Sequence, residues 1–139
     1  MEMILILERV YGMIGSGEPE ASANKINNPQ LKNAVMYIES HYPENVSLEN
    51  IAKAASLNHS TLTQLFKREL DVTPIEYLWQ YRVTVAKKFL EFTNLPVKEI
   101  SVRCGFKTVP HFSRKFEAYT HYTPTAFRDT AVAERKAAF

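Results

Sequence analysis

The chain contains an internal repeat, and this repeat confines the fold to two similar helical units joined end to end. The offset between paired positions is 49 residues for the first three pairs and 50 for the others. The pairs are Ile51/Ile100, Ser56/Gly105, Leu57/Phe106, Leu62/Phe112, Phe66/Phe116, Thr73/Thr123, Pro74/Pro124 and Tyr77/Phe127. A Thr-Pro step after each second helix is not a general property of amphipathic helices, so the match indicates a duplicated helix-turn-helix unit.

Helical periodicity extends over the whole region that contains the repeat. From Pro29 onward the apolar residues recur at spacings of three and four, and no strand-like alternation interrupts them. Thr73, Pro74 and Glu76 form a capping-box pattern with proline at the first helical position, and the helix that begins there extends to about Phe92. The sequence predicts an all-α fold of about seven helices, in which the long helix joins two helix-turn-helix subdomains.

The chain divides into four segments. We expect an apolar helical stub at 1–14, a flexible linker at 15–29, the bipartite helical domain at 30–130 and a C-terminal tail at 131–139. The stub has four interpretations: a helix packed on the main domain, the tail of a partner- or ligand-binding domain, a dimer seam, or a cloning remnant. No ligand pocket can be identified from so short a segment, and the chain is either a piece of a longer protein or an unusually short one.

Charge and cysteine content indicate the setting. The 17 basic and 15 acidic residues give a net charge of +2, but the 28 residues before Pro29 hold two basic and four acidic ones. The helical part therefore holds 15 basic and 11 acidic residues, a net +4. The single cysteine suits a reducing compartment, and the longest apolar run, Met3–Leu7, is too short for a membrane span. We expect a cytoplasmic protein with no membrane association.

The second helix of the first repeat has one polar face, which is either an ordinary solvated surface or a surface that contacts DNA. Leu62, Leu65 and Phe66 are predicted to point inward, so the opposite face is polar and contains no carboxylate. Glutamine can pair with adenine, hydroxyl groups can donate or accept, and lysine can neutralise a phosphate. The predicted base-reading residues are Ser60, Thr63 and Gln64, and the predicted phosphate contact beside them is Lys67.

The equivalent helix of the second repeat has a more apolar tip. Phe112, Phe116 and Tyr119 are predicted to point inward, and Glu117 occupies the position that matches Lys67. Arginine can read a guanine edge, and an apolar tip can meet a thymine methyl group. The predicted base-reading residues here are Val109, Pro110, His111, Ser113 and Arg114.

Basic residues around these two faces are candidates for phosphate contacts. Arg82 interrupts the apolar side of the long helix, so an ion pair with Glu69 or Glu76 is an equally good interpretation for it. Two rigidly joined units would place their reading helices in major-groove segments about 34 Å apart. Besides Lys53, which is a weaker candidate, the predicted phosphate contacts are Lys67, Arg68, Arg82, Lys98, Arg103 and Lys107.

The region from about Leu31 to Arg128 resembles the DNA-binding domain of AraC/XylS transcription regulators. Nine residues of the second repeat agree with that family's signature over 24 positions: Gly105, Phe106, Phe112, Ser113, Arg114, Phe116, Thr123, Pro124 and Arg128. The resemblance implies a seven-helix bacterial domain that binds promoter DNA and usually contacts RNA polymerase to activate transcription. It also implies DNA contacts at the outward positions named above on both reading helices. Asp71 and His121 replace the glycine common after each second helix, and Glu117 replaces a common basic residue.

Other classes of function fit the sequence less well. Cys104 and His111 suggest a nucleophile and a base, but Cys104 lies at the helix-turn-helix turn on the side that packs inward. The histidines lack metal-ligand spacing with this cysteine, and no phosphate-binding glycine loop is present. We therefore expect no enzymatic activity, metal or cofactor. The alternative is a helical protein–protein interaction module, which would lack salt-dependent duplex binding.

Overall fold

The computed structural model describes residues 26–138, and within them it contains seven α-helices and no strand. The helices are α1 Pro29–His41, α2 Leu48–Ala55, α3 His59–Leu70, α4 Pro74–Phe92, α5 Val97–Arg103, α6 Val109–Thr120 and α7 Pro124–Ala138. The predicted all-α fold with two helix-turn-helix units and a long central helix is confirmed. Among the described helices, none combines the length and apolar character that a membrane span requires.

The central helix α4 begins and ends at the residues that the sequence predicts. The Glu76 N–H donates to Thr73 Oγ1 at 3.1 Å, and the Thr73 N–H donates to Glu76 Oε1 at 3.4 Å. Pro74 occupies the first turn, where its missing N–H loses no helical hydrogen bond. These reciprocal bonds satisfy two N–H groups at the start of the helix.

We call α3 and α6, the second helices of the two units, the reading helices. One residue in each helix-turn-helix turn, and one residue after each reading helix, has left-handed backbone angles. Ser56 and Gly105 in the turns have φ of 56° and 91°, and Asp71 and His121 after the reading helices have φ of 60° and 67°. Polar residues such as aspartate tolerate this conformation better than most, although at a cost that glycine avoids. The two departures from glycine therefore do not change the shape of the helix ends.

Two hydrophobic cores lie on either side of the middle of α4. The first joins α1, α2, α3 and the beginning of α4, and the second joins the rest of α4 to α5, α6 and α7. Tyr42, which follows α1, packs against both cores. The central helix thus serves both units, and each reading helix is held by its own core.

The predicted segment boundaries differ from the helix ends by a few residues. Helix α1 begins at Pro29, where the Asn28 side chain accepts from two backbone N–H groups, so the helix includes the last residue assigned to the linker. Helix α7 continues through the predicted tail to Ala138, because that segment consists mostly of strong helix formers. The predicted stub at 1–14 and the linker up to residue 25 lie outside the described residues.

Candidate nucleic-acid interface

The first reading helix, α3, buries one stripe and leaves the opposite side open. Its buried residues are Leu62, Leu65 and Phe66, as predicted. The Asn58 side chain caps the helix by accepting from the Thr61 N–H at 2.8 Å. The predicted DNA contacts of this helix are exposed except for Thr63, which is half-buried: Ser60, Thr63, Gln64 and Lys67.

The second reading helix, α6, has the same design with different side chains. The Thr108 hydroxyl caps it by accepting from the His111 N–H at 3.1 Å, and Phe112 and Phe116 are buried. Pro110 lies in the first turn, as the sequence predicts. Of the predicted base-reading residues on this helix, two are exposed and three half-buried: Pro110 and Arg114, then Val109, His111 and Ser113.

Both reading helices flank the first turns of α4. Lys67 Nζ on α3 lies 4.0 Å from Glu76 Oε1. On α6, burial raises the pKa of Tyr119, and the negative charge of Glu76 raises it further. Glu76, in the first turn of α4, therefore pairs with Lys67 near the end of α3 and also acts electrostatically on the end of α6.

Tyr119 does not pack inward as the sequence predicts. The residue is 38% exposed, although it lies seven positions after the buried Phe112. Helix α6 ends one residue later at Thr120, so Tyr119 lies beyond the end of the aromatic core. Periodicity identified the correct side of the helix but not the point at which the core ends.

His111 lies at the edge of the exposed face of α6 rather than at its centre. Its ring is in a T-shaped arrangement with Trp79, with centroids 5.0 Å apart, and it also approaches Phe106 at 5.7 Å. Burial lowers the pKa of His111, and the charges of Lys115, Arg114 and Arg82 lower it further. The neutral imidazole thus packs against the central helix, which favours a supporting role over base reading.

Four of the predicted phosphate contacts remain on open surfaces. Lys67 and Arg68 form surface ion pairs with Glu76 and Glu69, and such pairs are weak enough to exchange for a phosphate. The two lysines Lys98 and Lys107 are exposed. The weaker candidate, Lys53, is exposed and pairs with Glu49 in the next turn of the same helix.

Arg103 is less open than these four. Its side chain is 23% exposed and its Nε donates to Glu99 Oε1 at 3.0 Å, one turn earlier in α5. A phosphate contact there requires the arginine to leave a partly covered ion pair, so it ranks below the other candidates.

Arg82 is buried, which argues against the predicted phosphate contact. Only 4% of it is exposed, and its Nε and Nη2 donate to the backbone oxygens of Tyr42 and Glu44 at 2.8 Å each. The alternative ion pair with Glu69 or Glu76 is not formed either, because the hydrogen-bond acceptors of Arg82 are backbone carbonyls. A residue on the apolar side of α4 reaches these carbonyls because the end of α1 packs beside that side.

Arg128 has a structural role that the sequence did not reveal. Its Nε and Nη2 donate to the Leu90 and Thr93 oxygens at 3.2 Å each, which ties α7 to the end of α4. Thr93 follows Glu44 by 49 residues, so one acceptor of each arginine occupies the equivalent position in the two units, whereas Tyr42 and Leu90 do not match at this offset. The repeat could have indicated this equivalence, but Arg82 lies one turn further along its helix than Arg128 does.

Cys104 is a small buried hydrophobe, as predicted. It is completely buried, and this burial raises the pKa of its thiol far above the ordinary value, an effect that the charge of Arg82 only partly offsets. The neutral thiol lies within the second core rather than in an open cleft. It is therefore unsuited to act as a nucleophile.

Comparison with known proteins identifies the domain. A family model described as a helix-turn-helix domain matches residues 51–130. The chain belongs to the AraC/XylS family of helix-turn-helix transcription regulators. An AraC/XylS domain of this kind is a sequence-specific DNA-binding module, and the matched region contains both reading helices.

Named relatives agree with this assignment. The chain is 33% identical over 103 residues, or 74% of its length, to the Bacillus subtilis HTH-type transcriptional regulator YdeC, of which it covers 35%. It is 30% identical over 92% of its length to the HTH-type transcriptional activator RhaS of Salmonella arizonae, of which it covers 43%. The chain thus spans less than half the length of these relatives.

Solved structures of the family share the fold. An AraC-type regulator from Chromobacterium violaceum has a TM-score of 0.71 at 30% identity, over 74% of this chain and 92% of that one. The DNA-binding domain of AdpA, solved in complex with a target DNA, has a TM-score of 0.74 at 26% identity, over 78% of this chain and 98% of that one.

Proposed function

We propose that this AraC/XylS domain reads two half-sites of a promoter by placing α3 and α6 in successive major-groove segments. The observation that supports the proposal is the matched exposure of the two helices. Each is capped at its start, buries one stripe in its own core and leaves a face without carboxylates at its N-terminal half. Two helices joined by one central helix can provide what a repressor dimer obtains from two subunits.

The proposed DNA contacts of the two units differ in kind. On α3, the proposed base contacts are Ser60, Thr63 and Gln64, and the proposed phosphate contact is Lys67. On α6, Arg114 is the strongest candidate for a guanine contact, because it is exposed and makes no ion pair with the described residues. Val109, Pro110 and Ser113 lie beside it and offer apolar and hydroxyl contacts.

Arg114→Ala and Lys67→Ala separate base reading from phosphate binding. We expect Arg114→Ala to cost about 1–3 kcal/mol on a selected cognate duplex and to relax preference at one base pair. Lys67→Ala should weaken binding to all sequences alike and reduce the salt slope by about 1. Fluorescence anisotropy on cognate and random duplexes, at several salt concentrations, measures both effects.

Arg135→Ala is the matched control, since Arg135 is exposed near the end of α7, outside both reading helices. It should bind both duplexes as the wild type does. Equal losses for Arg114→Ala on cognate and random DNA would contradict the base-reading assignment. Absence of salt-dependent duplex binding would instead favour the protein-interaction alternative.

We also propose that the domain activates transcription in the bacterial cytoplasm through contact with RNA polymerase, and that it acts by binding rather than by catalysis. Support comes from RhaS, which is named an activator and matches 92% of this chain. Transcription in vitro from a promoter carrying the selected site tests this proposal. Transcript levels that rise with added protein support it, and levels that stay the same or fall contradict it.

Dimerisation through the N-terminal segment or through an effector domain is a separate proposal. It rests on the apolar pattern of residues 1–14, which lies outside the described residues. Light scattering on the full chain and on a chain that begins at residue 26 tests the segment's part. Dimers formed by the full chain alone support it, and monomers in both cases contradict it.

A further inference from the structure

Arg82 joins the central helix to the first unit at the middle of the molecule. It lies near the midpoint of α4, and its two donated hydrogen bonds reach Tyr42 and Glu44 in the loop between α1 and α2. Tyr42 itself packs against both hydrophobic cores. Because only 4% of Arg82 is exposed, losing one of these acceptors leaves a buried donor unsatisfied.

The second unit meets Arg82 at its helix-turn-helix turn. Gly105, with φ of +91°, lies so close that a Cβ there would be 2.6 Å from the Tyr42 oxygen and 2.9 Å from Arg82 Nε. The backbone of the first unit's loop and the backbone of the second unit's turn therefore meet at one guanidinium. This turn leads directly into α6, so the position of the turn affects the position of the second reading helix.

Trp79 extends the contact from Arg82 to α6. The Arg82 guanidinium carbon lies 4.8 Å from the centroid of the Trp79 ring. The same ring packs against Phe106 at 5.5 Å and His111 at 5.0 Å, and Lys115 Nζ lies 5.2 Å from it. Arg82, on the central helix, thus contacts the first unit directly and the second reading helix through Trp79.

The rest of this junction is not closely packed. A cleft of about 430 Å³ lies between the loop of the first unit and the turn of the second, with Leu78, Trp79 and Phe106 among its lining residues. Glu44, Arg82 and Gly105 all line this cleft, so the contacts of Arg82 are among those that join the two units along it.

We propose that Arg82 is a positioning residue that holds the second reading helix at a fixed rotation from the first, and so sets the half-site spacing that the domain accepts. This inference rests on the proposed function, in which both units read DNA. Spacing specificity then arises at a buried residue that never touches the nucleic acid.

The test is a spacing series. Duplexes carry the two half-sites selected by the full-length wild type, separated by the selected distance or by one or two base pairs more or fewer. Each added base pair shifts one half-site by about 3.4 Å and rotates it by about 35°. We expect the wild type to lose about tenfold in affinity per base pair of change, comparable to one mismatched contact.

Arg82→Met keeps the long apolar stem and removes both donated hydrogen bonds. We expect this variant to bind the best-spaced duplex about tenfold more weakly and to lose less than about threefold per base pair of altered spacing. Arg82→Lys keeps the charge but lacks the planar guanidinium that donates both hydrogen bonds. Its spacing profile, the affinity measured against half-site spacing, should therefore lie between those of the wild type and Arg82→Met. Circular dichroism at the binding temperature confirms that each variant is folded.

Arg128→Met is the matched control. Arg128 also donates two hydrogen bonds to carbonyls at the end of a helix, but its acceptors, Leu90 and Thr93, lie at the end of α4 beside the second unit. This variant should lose stability and keep the wild-type spacing profile. A difference between the two arginine variants therefore reports positioning rather than general loss of structure.

Three outcomes would overturn the inference. A folded Arg82→Met variant that loses as much affinity per base pair of altered spacing as the wild type contradicts the role of Arg82. An equal reduction of this loss in Arg128→Met contradicts it as well. If Arg82→Met does not fold, a wild-type profile for Arg82→Lys contradicts it in the same way. A wild type indifferent to spacing would instead overturn the two-unit docking of the proposed function, and with it the basis of the inference.

Discussion

The two helix-turn-helix units have the same arrangement of helices but build their cores from different side chains. The first core is mainly aliphatic, with Leu31, Ile38, Ile51 and Leu62 fully or almost fully buried. The second is built around a run of aromatic rings that pack edge-to-face or tilted, namely Phe106, Phe112, Phe116 and Phe127. One fold is thus specified twice by different packing, with a left-handed residue kept in each turn and after each reading helix.

The reading faces differ more than the cores do. Helix α3 combines small hydroxyl groups, an amide and Lys67, whereas α6 begins with Val109 and Pro110 and has Glu117 where α3 has Lys67. The first face therefore suits polar base contacts beside a phosphate anchor. Under the proposed function, the second relies on Arg114 and apolar contacts, and Glu117 weakens phosphate binding at its far end.

The largest expected effect tests the aromatic core. Phe116→Ala should lower the free energy of unfolding by about 3–5 kcal/mol, because the ring is completely buried and lies 5.7 Å from Phe112 and 5.3 Å from Phe127. Urea denaturation followed by the fluorescence of Trp79, the single tryptophan, measures the loss.

Leu62→Ala is the counterpart in the aliphatic core and should cost about 2–5 kcal/mol. Val102→Ala, at a residue that is 61% exposed, should stay within about 0.5 kcal/mol of the wild type. A loss below about 1.5 kcal/mol for Phe116→Ala would show that the aromatic core is loosely packed, against this account.

The helix starts before the two turns also differ. Ser47 and Asn50 form a reciprocal cap at the start of α2, whereas Pro96, 49 residues later, provides no side-chain bond to α5. We expect Ser47→Ala to cost about 1 kcal/mol in the free energy of unfolding. Asn45→Ala, in the exposed loop before it, is the control and should have little effect; equal losses would mean that the cap contributes nothing specific.

Glu117→Lys would make the far end of α6 resemble that of α3. We expect roughly threefold tighter binding to cognate and random duplexes alike, and a log K against log salt slope that is steeper by about 1. Glu134→Lys changes the net charge equally on the exposed surface of α7 and should leave the slope unchanged. Equal steepening by both variants would indicate a general charge effect rather than a phosphate contact at 117.

The smallest expected effect concerns pH. Because the pKa of His111 is lowered in the folded state from its ordinary 6.5, protonation favours the unfolded chain. The wild type should therefore lose stability relative to His111→Gln as pH falls from about 7.5 to 5.5, by a few tenths of a kcal/mol because the residue is only half-buried. A relative gain of wild-type stability at low pH would contradict the packing described for this ring.

The sequence was sufficient to predict the two helical units and the helices that form them. The repeat identified the two units, the pattern at Thr73 and Glu76 located the start of α4, and the periodicity identified the buried stripe of α3. The cap and the periodicity are local features, because each acts within one or two turns of a helix. The predicted inward position of Cys104 followed from the same reasoning.

The junction between the units could not be predicted in this way. Arg82 was considered as a phosphate contact or an ion pair, because a sequence shows which side chains carry charge but not which carbonyls lie near them. Its acceptors follow α1, about 40 residues earlier in the chain. Tyr119 was misplaced for a related reason: the end of a core depends on packing between helices and not on the period of one helix.

Hydroxyl-radical footprinting of the full chain on its selected duplex tests the central claim most directly. Two units that read successive major-groove segments should protect two patches on one face of the DNA, with centres about 10 base pairs apart. Arg114→Ala should weaken protection in the patch assigned to α6 more than in the other. A single protected patch, or protection that is lost equally from both, would contradict reading by two separate helices.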